Sequence, residues 1–127
     1  MEPVHLFHLA NQQARWLSVR QAAIAGNIAN VNTAGYGAAE VEPFEKVLDR
    51  RRVALTATQE GHLGGNAQNA AFAVRQDDPS TAILPSENTV HLEDELVKAG
   101  EVRRSFELNT AIVKSFHRMM LMTTKAG

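Results

Sequence analysis

The sequence predicts a mainly α-helical protein in which long N- and C-terminal helices pair as an antiparallel coiled coil around an extended, loop-rich middle arm. Two observations predict this fold class. Apolar residues recur three and four positions apart at both ends of the chain, which is the spacing of a coiled-coil seam. Between the two ends, residues 32–91 hold five of the eight glycines and three of the four prolines, and these residues interrupt regular structure.

The N-terminal helix is predicted over residues 1–31. Pro3 suits the first turn of a helix, because its missing N–H has no helical partner there. Asn32 and Gly35 predict the end of the helix, since both residue types tolerate positive φ. The seam has alternating spacings of three and four, and seven of its eight positions are apolar: Phe7, Ala10, Ala14, Leu17, Gln21, Ile24, Ile28 and Val31.

The C-terminal helix is predicted over residues 92–127 and carries two rows of apolar positions. The first row follows heptad spacing with one three-residue slip near Ala99: Leu92, Leu96, Ala99, Val102, Phe106, Asn109, Val113, Phe116 and Met120. The second row lies on the adjoining face: Leu108, Ile112, Met119 and Met122. Adjacent residues lie about 100° apart around a helix, so one partner helix cannot cover both rows. We expect Val102, Phe106, Val113, Phe116 and Met120 of the first row to pack on the N-terminal seam, and the second row to meet neighbouring subunits.

Three residues are open as the N-cap of this C-terminal helix, namely Asn88, Thr89 and His91. Asparagine and threonine are favoured at this position, whereas histidine caps poorly. The sequence alone does not choose among them.

The middle arm, residues 32–91, contains only short patterned segments. Residues 44–48 predict a helical turn. Residues 53–58 alternate like a short strand that could pair with residues 72–75 as a β-hairpin. The segments 61–69 and 77–88 are predicted loops. A connection of this length with so little structure favours an arm ordered by binding, within a single unit spanning residues 1–127.

Composition excludes several classes of function. The 127 residues carry a net charge of −1, which leaves no basic footprint for nucleic acid. No apolar run approaches the roughly 18 residues of a membrane span. The first residues lack the basic region of a cleavable signal peptide, so export by that route is not expected. With no cysteine in the chain, disulfides and thiolate metal sites are excluded as well.

No constellation of residues indicates catalysis, a metal or a cofactor. His5 and His8 lie three positions apart on the first helix, but no nearby acid completes a metal site. The glycines at 61–65 lack the lysine and hydroxyl residue of a phosphate-binding loop. We therefore expect a protein that is not an enzyme and binds no cofactor.

Residues 24–36 resemble the N-terminal signature of bacterial flagellar axial proteins, in which a helix ends in a motif of the form A-N-x-x-T-P-G-Y. Ala34 stands where that motif has proline, and Gly37 stands where a basic residue is common. The residues that carry the motif in this chain are Ala29, Asn30, Asn32, Thr33, Gly35 and Tyr36.

Residues 88–98 are similar to the N-x-V-x-L-E-x-E-M stretch of flagellar basal-body rod proteins of the proximal rod, type B. Leu96 replaces the methionine of that stretch, and His91 replaces an acid. Two alternatives stay open: the sibling type C proximal-rod protein, and a soluble helical adaptor or chaperone.

The resemblance implies a structural subunit that polymerises into a hollow, periplasm-spanning shaft, transmits torque and lets exported subunits pass. It implies four kinds of partner: copies of the chain itself, other proximal and distal rod proteins, inner-membrane ring or rod-junction proteins, and the flagellar type III export apparatus. Early substrates of that apparatus carry an F-x-x-x-apolar element, which makes Phe44 and Leu48 a candidate export signal. The alternative for these two residues is a purely structural helical turn.

Overall fold

The computed structural model describes the backbone of residues 3–57 and 72–126, and the side chains of residues 5–50 and 72–126. A 3-10 turn at Pro79–Thr81 precedes the last helix. The helices and strands in chain order are α1 (Pro3–Ala29), β1 (Ala39–Val41), α2 (Phe44–Ala57), β2 (Val74–Gln76) and α3 (Leu92–Lys125). The described chain is mainly helical, its terminal helices pack together and a short two-stranded antiparallel sheet lies between them in the chain, so the predicted fold class is confirmed.

Helices α1 and α3 pack side by side in opposite directions. Near the start of α1, the ring of Phe7 meets the ring of Phe116 edge-on, with centroids 5.6 Å apart. Near its end, the amide of Asn27 lies 3.0 Å from the carboxylate of Glu95. With 34 residues, α3 is about 50 Å long, whereas the 27 residues of α1 span about 40 Å.

The seam of α3 differs from the predicted one at its N-terminal end. Glu95 is 2% exposed, whereas Leu96, which the sequence pattern places on the seam, is 57% exposed. Leu96 is therefore a wrong assignment, and so is the slip in the heptad, because spacings of four and three run without interruption from Glu95. A buried glutamate is tolerated here since Asn27 of α1 donates a hydrogen bond to it. The seam positions are residues 95, 99, 102, 106, 109, 113, 116 and 120.

The buried face of α1 is wider than the predicted seam. Gln21, the polar member of that seam, is exposed. In contrast, Trp16 is buried on an adjoining row, and its indole N–H donates a hydrogen bond of 2.8 Å to the carbonyl of Glu42. This contact ties the middle arm to α1. The buried apolar cluster consists of Trp16, Leu17, Ile24, Val41, Val47 and Val102.

The middle arm contains a helix where the alternating pattern predicts a strand. Residues 53–57 form the last part of α2, and residues 58 and 61–69 lie outside the described residues. The strand that pairs with β2 is instead β1, antiparallel, with Val41 opposite Val74. The predicted partner is wrong because six alternating residues are too few to distinguish a strand from a helix. Here they continue a segment rich in the helix formers Glu, Lys, Leu and Arg.

Candidate assembly surface and helix junction

The motif at the end of α1 forms a compact turn stabilised by its own polar groups. The side-chain amide of Asn30 donates to the carbonyl of Gly26 at 2.8 Å, and the hydroxyl of Thr33 donates to Asn30 Oδ1 at 3.1 Å. Gly35 has a φ of +70°, a left-handed conformation that favours glycine. The turn therefore ends the helix and redirects the chain into the arm.

Asn88 closes this turn from a distant part of the sequence. Its buried Nδ2 lies 2.8, 3.0 and 2.8 Å from the carbonyls of Asn30, Val31 and Thr33, while its Oδ1 accepts a hydrogen bond from the backbone N–H of Val90. Carbonyls at a helix C-terminus have no partner within the helix. A single side chain thus satisfies the end of α1 and fixes the approach to α3.

The N-cap of α3 is His91, whose side chain makes no capping hydrogen bond. Of the two other candidates, Asn88 serves the end of α1, and the hydroxyl of Thr89 accepts a hydrogen bond from the backbone N–H of Ala38 at 2.7 Å. Asn88 and Thr89, the two better capping residues, therefore bond the end of α1 and the arm instead of the start of α3. Helix α3 begins at His91 without a side-chain cap.

Gly37 allows two parts of the arm to approach closely. A Cβ atom at this position would lie 2.1 Å from the carbonyl oxygen of Asp77. The backbone N–H of Asp77 donates to the carbonyl of Ala38 at 2.9 Å, which extends the pairing beside β1. Only glycine fits here without moving the backbone.

A buried polar cluster joins α1, β1 and α3. Asn27 is fully buried, and its Nδ2 donates to both the carbonyl of Ala39 and Glu95 Oε2. Its Oδ1 accepts hydrogen bonds from the N–H of Ala39 and, at 3.4 Å, from the hydroxyl of Tyr36. Glu95 Oε1 is paired with the ammonium of Lys98 at 3.0 Å. Every polar group of this asparagine side chain therefore has a partner outside α1.

Lys98 links this cluster to the surface of the arm, because its ammonium also lies 2.6 Å from the carboxylate of Glu40. Partial burial of the ammonium acts to lower the pKa of Lys98, but its hydrogen bonds to Glu40 and Glu95 and their charges outweigh that effect and raise the pKa above its ordinary value. The lysine is therefore charged at neutral pH, as the ion pair with a buried carboxylate requires.

The predicted seam residues fall into three groups. Leu17, Ile24 and Val102 are buried, whereas Gln21, Leu92 and Leu96 are exposed. Asn109, also buried, donates from Nδ2 to the carbonyl of Ala10 and to Gln13 Oε1, both at 3.0 Å. The half-buried seam residues are Phe7, Ala10, Ala14, Ile28, Val31, Ala99, Phe106, Val113, Phe116 and Met120.

The second row of α3 is open to solvent. The exposed fractions are 62% for Leu108, 45% for Ile112, 51% for Met119 and 57% for Met122. These residues follow spacings of three and four with Ser115 between them, beside the row that contacts α1. An exposed apolar row of this kind marks a surface for association with protein or membrane.

The remaining predicted residues lie at the junction and on α2. Ala29, Asn32, Thr33 and Gly35 are exposed, and Asn30 and Tyr36 are half-buried. On α2, Phe44 and Leu48 are half-buried. The ring of Phe44 packs on Trp16 with centroids 5.7 Å apart, so this candidate export residue also belongs to the packing of the arm.

Sequence reasoning missed Asn27, Glu95 and Gly37, and assigned Asn88 only as a candidate cap. The hydrogen bonds from Asn27 to Ala39 and to Glu95, and from Asn88 to Asn30, span 12, 68 and 58 positions of the chain, and no local pattern reports them. One available signal was the uninterrupted heptad through Glu95, which places this glutamate on the seam.

Neither a metal centre nor a membrane-spanning helix is found in the part of the chain that the structure describes. No three His, Asp or Glu side chains within residues 3–57 and 72–126 gather as ligands. Within the same ranges, every helix is too short or too polar to cross a bilayer.

The paired terminal helices, the hydrogen-bonded junction and the open apolar row define a helical-hairpin protein with one uncovered apolar row. No protein-family model matches the chain. It is 46% identical over 129 residues to the flagellar basal body rod protein FlgB of Agrobacterium fabrum strain C58, an alignment that covers 98% of this chain and 96% of that protein. The chain belongs to the FlgB family of flagellar basal body rod proteins, and its place is in the rod of the basal body.

Proposed function

We propose that the chain is a type B subunit of the proximal rod, assembling into a hollow shaft that transmits torque and lets exported subunits pass. The identity to a FlgB protein along nearly the whole chain supports type B over the type C sibling. The work of such a subunit is mechanical, with no catalytic step and no cofactor. It reaches the periplasm-spanning rod through the flagellar type III export apparatus.

The observation that carries this proposal is the open row Leu108, Ile112, Met119 and Met122 on α3. The adjoining row of the same helix is already covered by α1, so the open row has room for a second helix. Fully burying one such side chain contributes roughly 1.5–3 kcal/mol, and an assembly repeats that gain at every subunit. We assign the open row to contacts between subunits.

Contacts within a subunit are assigned to the seam that joins α1 to α3. On this assignment, Phe7, Leu17, Ile24, Val102, Phe106 and Phe116 hold the helix pair together before assembly. The surfaces outside the seam then meet four partners: further copies of the chain, other proximal and distal rod proteins, inner-membrane ring or rod-junction proteins, and the export apparatus during transit.

Two neighbouring substitutions test this division. Ile112→Asp puts a charge on the open row and should abolish rod assembly and motility while the level and secretion of the protein stay near normal. Val113→Asp puts the same charge into the seam, where a partly buried carboxylate without a partner destabilises the fold, and should lower the intracellular level through proteolysis. Abundance, secretion and motility are measured in a motile bacterium whose own copy of the gene is deleted.

Thr110→Asp is the matched control, since residue 110 is exposed on α3 away from the open row; this variant should swim. Normal swimming of Ile112→Asp would contradict the inter-subunit assignment. Purified basal bodies separate the alternative class, because a soluble adaptor or chaperone would be absent from them whereas a rod subunit is retained.

A further inference from the structure

Polar and apolar residues alternate along one heptad position of α3. Residues 95, 102, 109 and 116 are seven apart and face α1: Glu95 and Asn109 are polar, whereas Val102 and Phe116 are apolar. Glu95, Val102 and Asn109 are all buried. Polar residues at two seam positions do not serve apolar burial, so they require another explanation.

Each of these two polar residues meets a polar partner at one point of α1. Asn109 donates to the carbonyl of Ala10 and to Gln13 Oε1, both at 3.0 Å, and Glu95 accepts from Asn27 at 3.0 Å. Sliding α3 by one heptad moves these groups about 10 Å along α1. The amide and the carboxylate would then be buried without their partners, which is unfavourable.

The apolar part of the seam does not fix the register by itself. On α1 it consists of Phe7 followed by alanine and aliphatic residues at heptad spacing, so a slide of seven residues still places mostly apolar side chains opposite α3. Pairing between different copies is a second alternative to the native arrangement. In an assembly many copies of the same two helices come close together, and α1 of one copy can pair with α3 of another.

We propose that Asn109, together with Glu95, fixes the register of the α1–α3 pair and selects pairing within one chain over pairing with another copy. A single polar residue in a coiled-coil seam can specify register at a cost in stability. The inference concerns the folding of each subunit and does not depend on the assignment of the open row.

Asn109 is suited to this test because both of its hydrogen-bond partners keep other partners when its side chain is replaced. The carbonyl of Ala10 lies within α1, where helical hydrogen bonding supplies a second partner, and Gln13 is half-buried and can reach water. Asn109→Leu should therefore leave thermal stability unchanged or raised. A residue that merely stabilised the fold would give the opposite result.

The chain has no cysteine, so introduced pairs report the register without interference. Arg20 and Glu101 form an exposed ion pair across the helices at 3.5 Å, and Arg20→Cys with Glu101→Cys marks the native register. Asp94 and Leu108 lie seven positions before and after Glu101 on α3. Arg20→Cys combined with Asp94→Cys or with Leu108→Cys therefore reports a slide of α3 by one heptad in one direction or the other. Each pair is treated with a short bifunctional maleimide on the full-length purified chain, and products are separated by mass into monomers and covalent dimers.

With Asn109 present, we expect the native pair to crosslink within monomers and the shifted pairs to react weakly. Asn109→Leu should raise shifted and dimeric products several-fold, with a thermal midpoint at or above that of the parent. Thr110→Leu, an exposed neighbour, should leave the pattern unchanged. An unchanged pattern in Asn109→Leu overturns the proposal, as does a parent chain that already gives shifted products. Because no rod is assembled, this outcome is independent of the motility result for Ile112→Asp.

Discussion

Asn88 acts as a remote C-cap for α1. Its side-chain amide donates hydrogen bonds to the carbonyls that follow the helix end, a role usually filled by a residue next to that end in the chain. Three carbonyls of the motif turn accept from its Nδ2. Asn88→Ala removes that donor from three partly buried hydrogen bonds, so we expect the free energy of unfolding to fall by about 1–3 kcal/mol. Urea denaturation followed by circular dichroism measures the change.

Two variants make this prediction specific. Asn88→Asp keeps an acceptor for the N–H of Val90 but presents a carboxylate to three carbonyls, and it should destabilise at least as much as alanine. Asn32→Ala changes an exposed asparagine of the same turn and should stay within about 0.5 kcal/mol of the parent. An Asn88→Asp protein as stable as the parent would contradict the remote cap.

Gly37 and Gly100 give opposite predictions for the same substitution. Gly37→Ala places a Cβ 2.1 Å from the backbone of Asp77, so the fold should lose about 2 kcal/mol or more. Gly100 lies within α3, and a Cβ atom added there would meet no other side chain or element within 4 Å. Gly100→Ala should therefore stabilise the chain by about 0.5–1 kcal/mol, because alanine loses less entropy in a helix. Thermal unfolding measures the midpoint temperature of both variants. If the midpoints of both variants moved in the same direction from that of the parent, the prediction would be contradicted.

The sequence predicts individual residues well only where their partners are near in the chain. Gly35 is predictable, since a glycine just past an apolar helical pattern signals a left-handed residue, and it has a φ of +70°. Asn27 and Asn88 were not predictable, because their partners lie on elements whose approach is decided by the whole fold.

At the scale of elements, heptad spacing was the most informative signal in the chain. It predicts both terminal helices and which side of α3 meets α1, since spacing is a property of the helix itself. It fails at Leu96, where the more apolar residue is exposed and the glutamate beside it is buried. The arm was predicted less well, because β1 and β2 have only three residues each and their pairing depends on distant contacts.

Helix α2 carries the candidate export signal, and its packing allows that function to be separated from folding. Phe44→Ala removes the aromatic member of the F-x-x-x-apolar element and should leave the protein in the cytoplasm, measured in a background blocked in rod assembly. Val47→Ala is the control, because Val47 is buried on the same helix but lies outside the element. Its loss of packing should lower stability by about 1–2 kcal/mol without stopping secretion. Equal secretion of the two variants would favour the purely structural turn.

At the scale of the whole molecule, one ionic network spans the three parts that the chain must bring together. Lys98 on α3 pairs with Glu40 on β1 and with Glu95, which in turn bonds Asn27 on α1. The described ends of the arm thus return to the helix pair and are fixed where α1 ends and α3 begins. The open row lies further along α3, so the network joins the three parts of the subunit while leaving that row uncovered.

The pKa of Lys98 gives this network a defined pH dependence. Its pKa is raised in the folded chain above the ordinary 10.5, so the contribution of the charged ammonium is fully present below pH 10.5 and is lost as the pH rises through the folded value.

Other groups titrate in the same range, so the quantity to follow is the difference in unfolding free energy between the parent and Lys98→Met. This difference should favour the parent, stay constant from pH 7 to about pH 9 and shrink above about pH 10.5. Urea unfolding at each pH measures it, with Lys114→Met, an exposed lysine on the same helix, as the control expected to show little difference at any pH. A parent advantage that grew with pH would have the wrong sign for a lysine stabilised by carboxylates, and the network would then have to be held by its neutral hydrogen bonds alone.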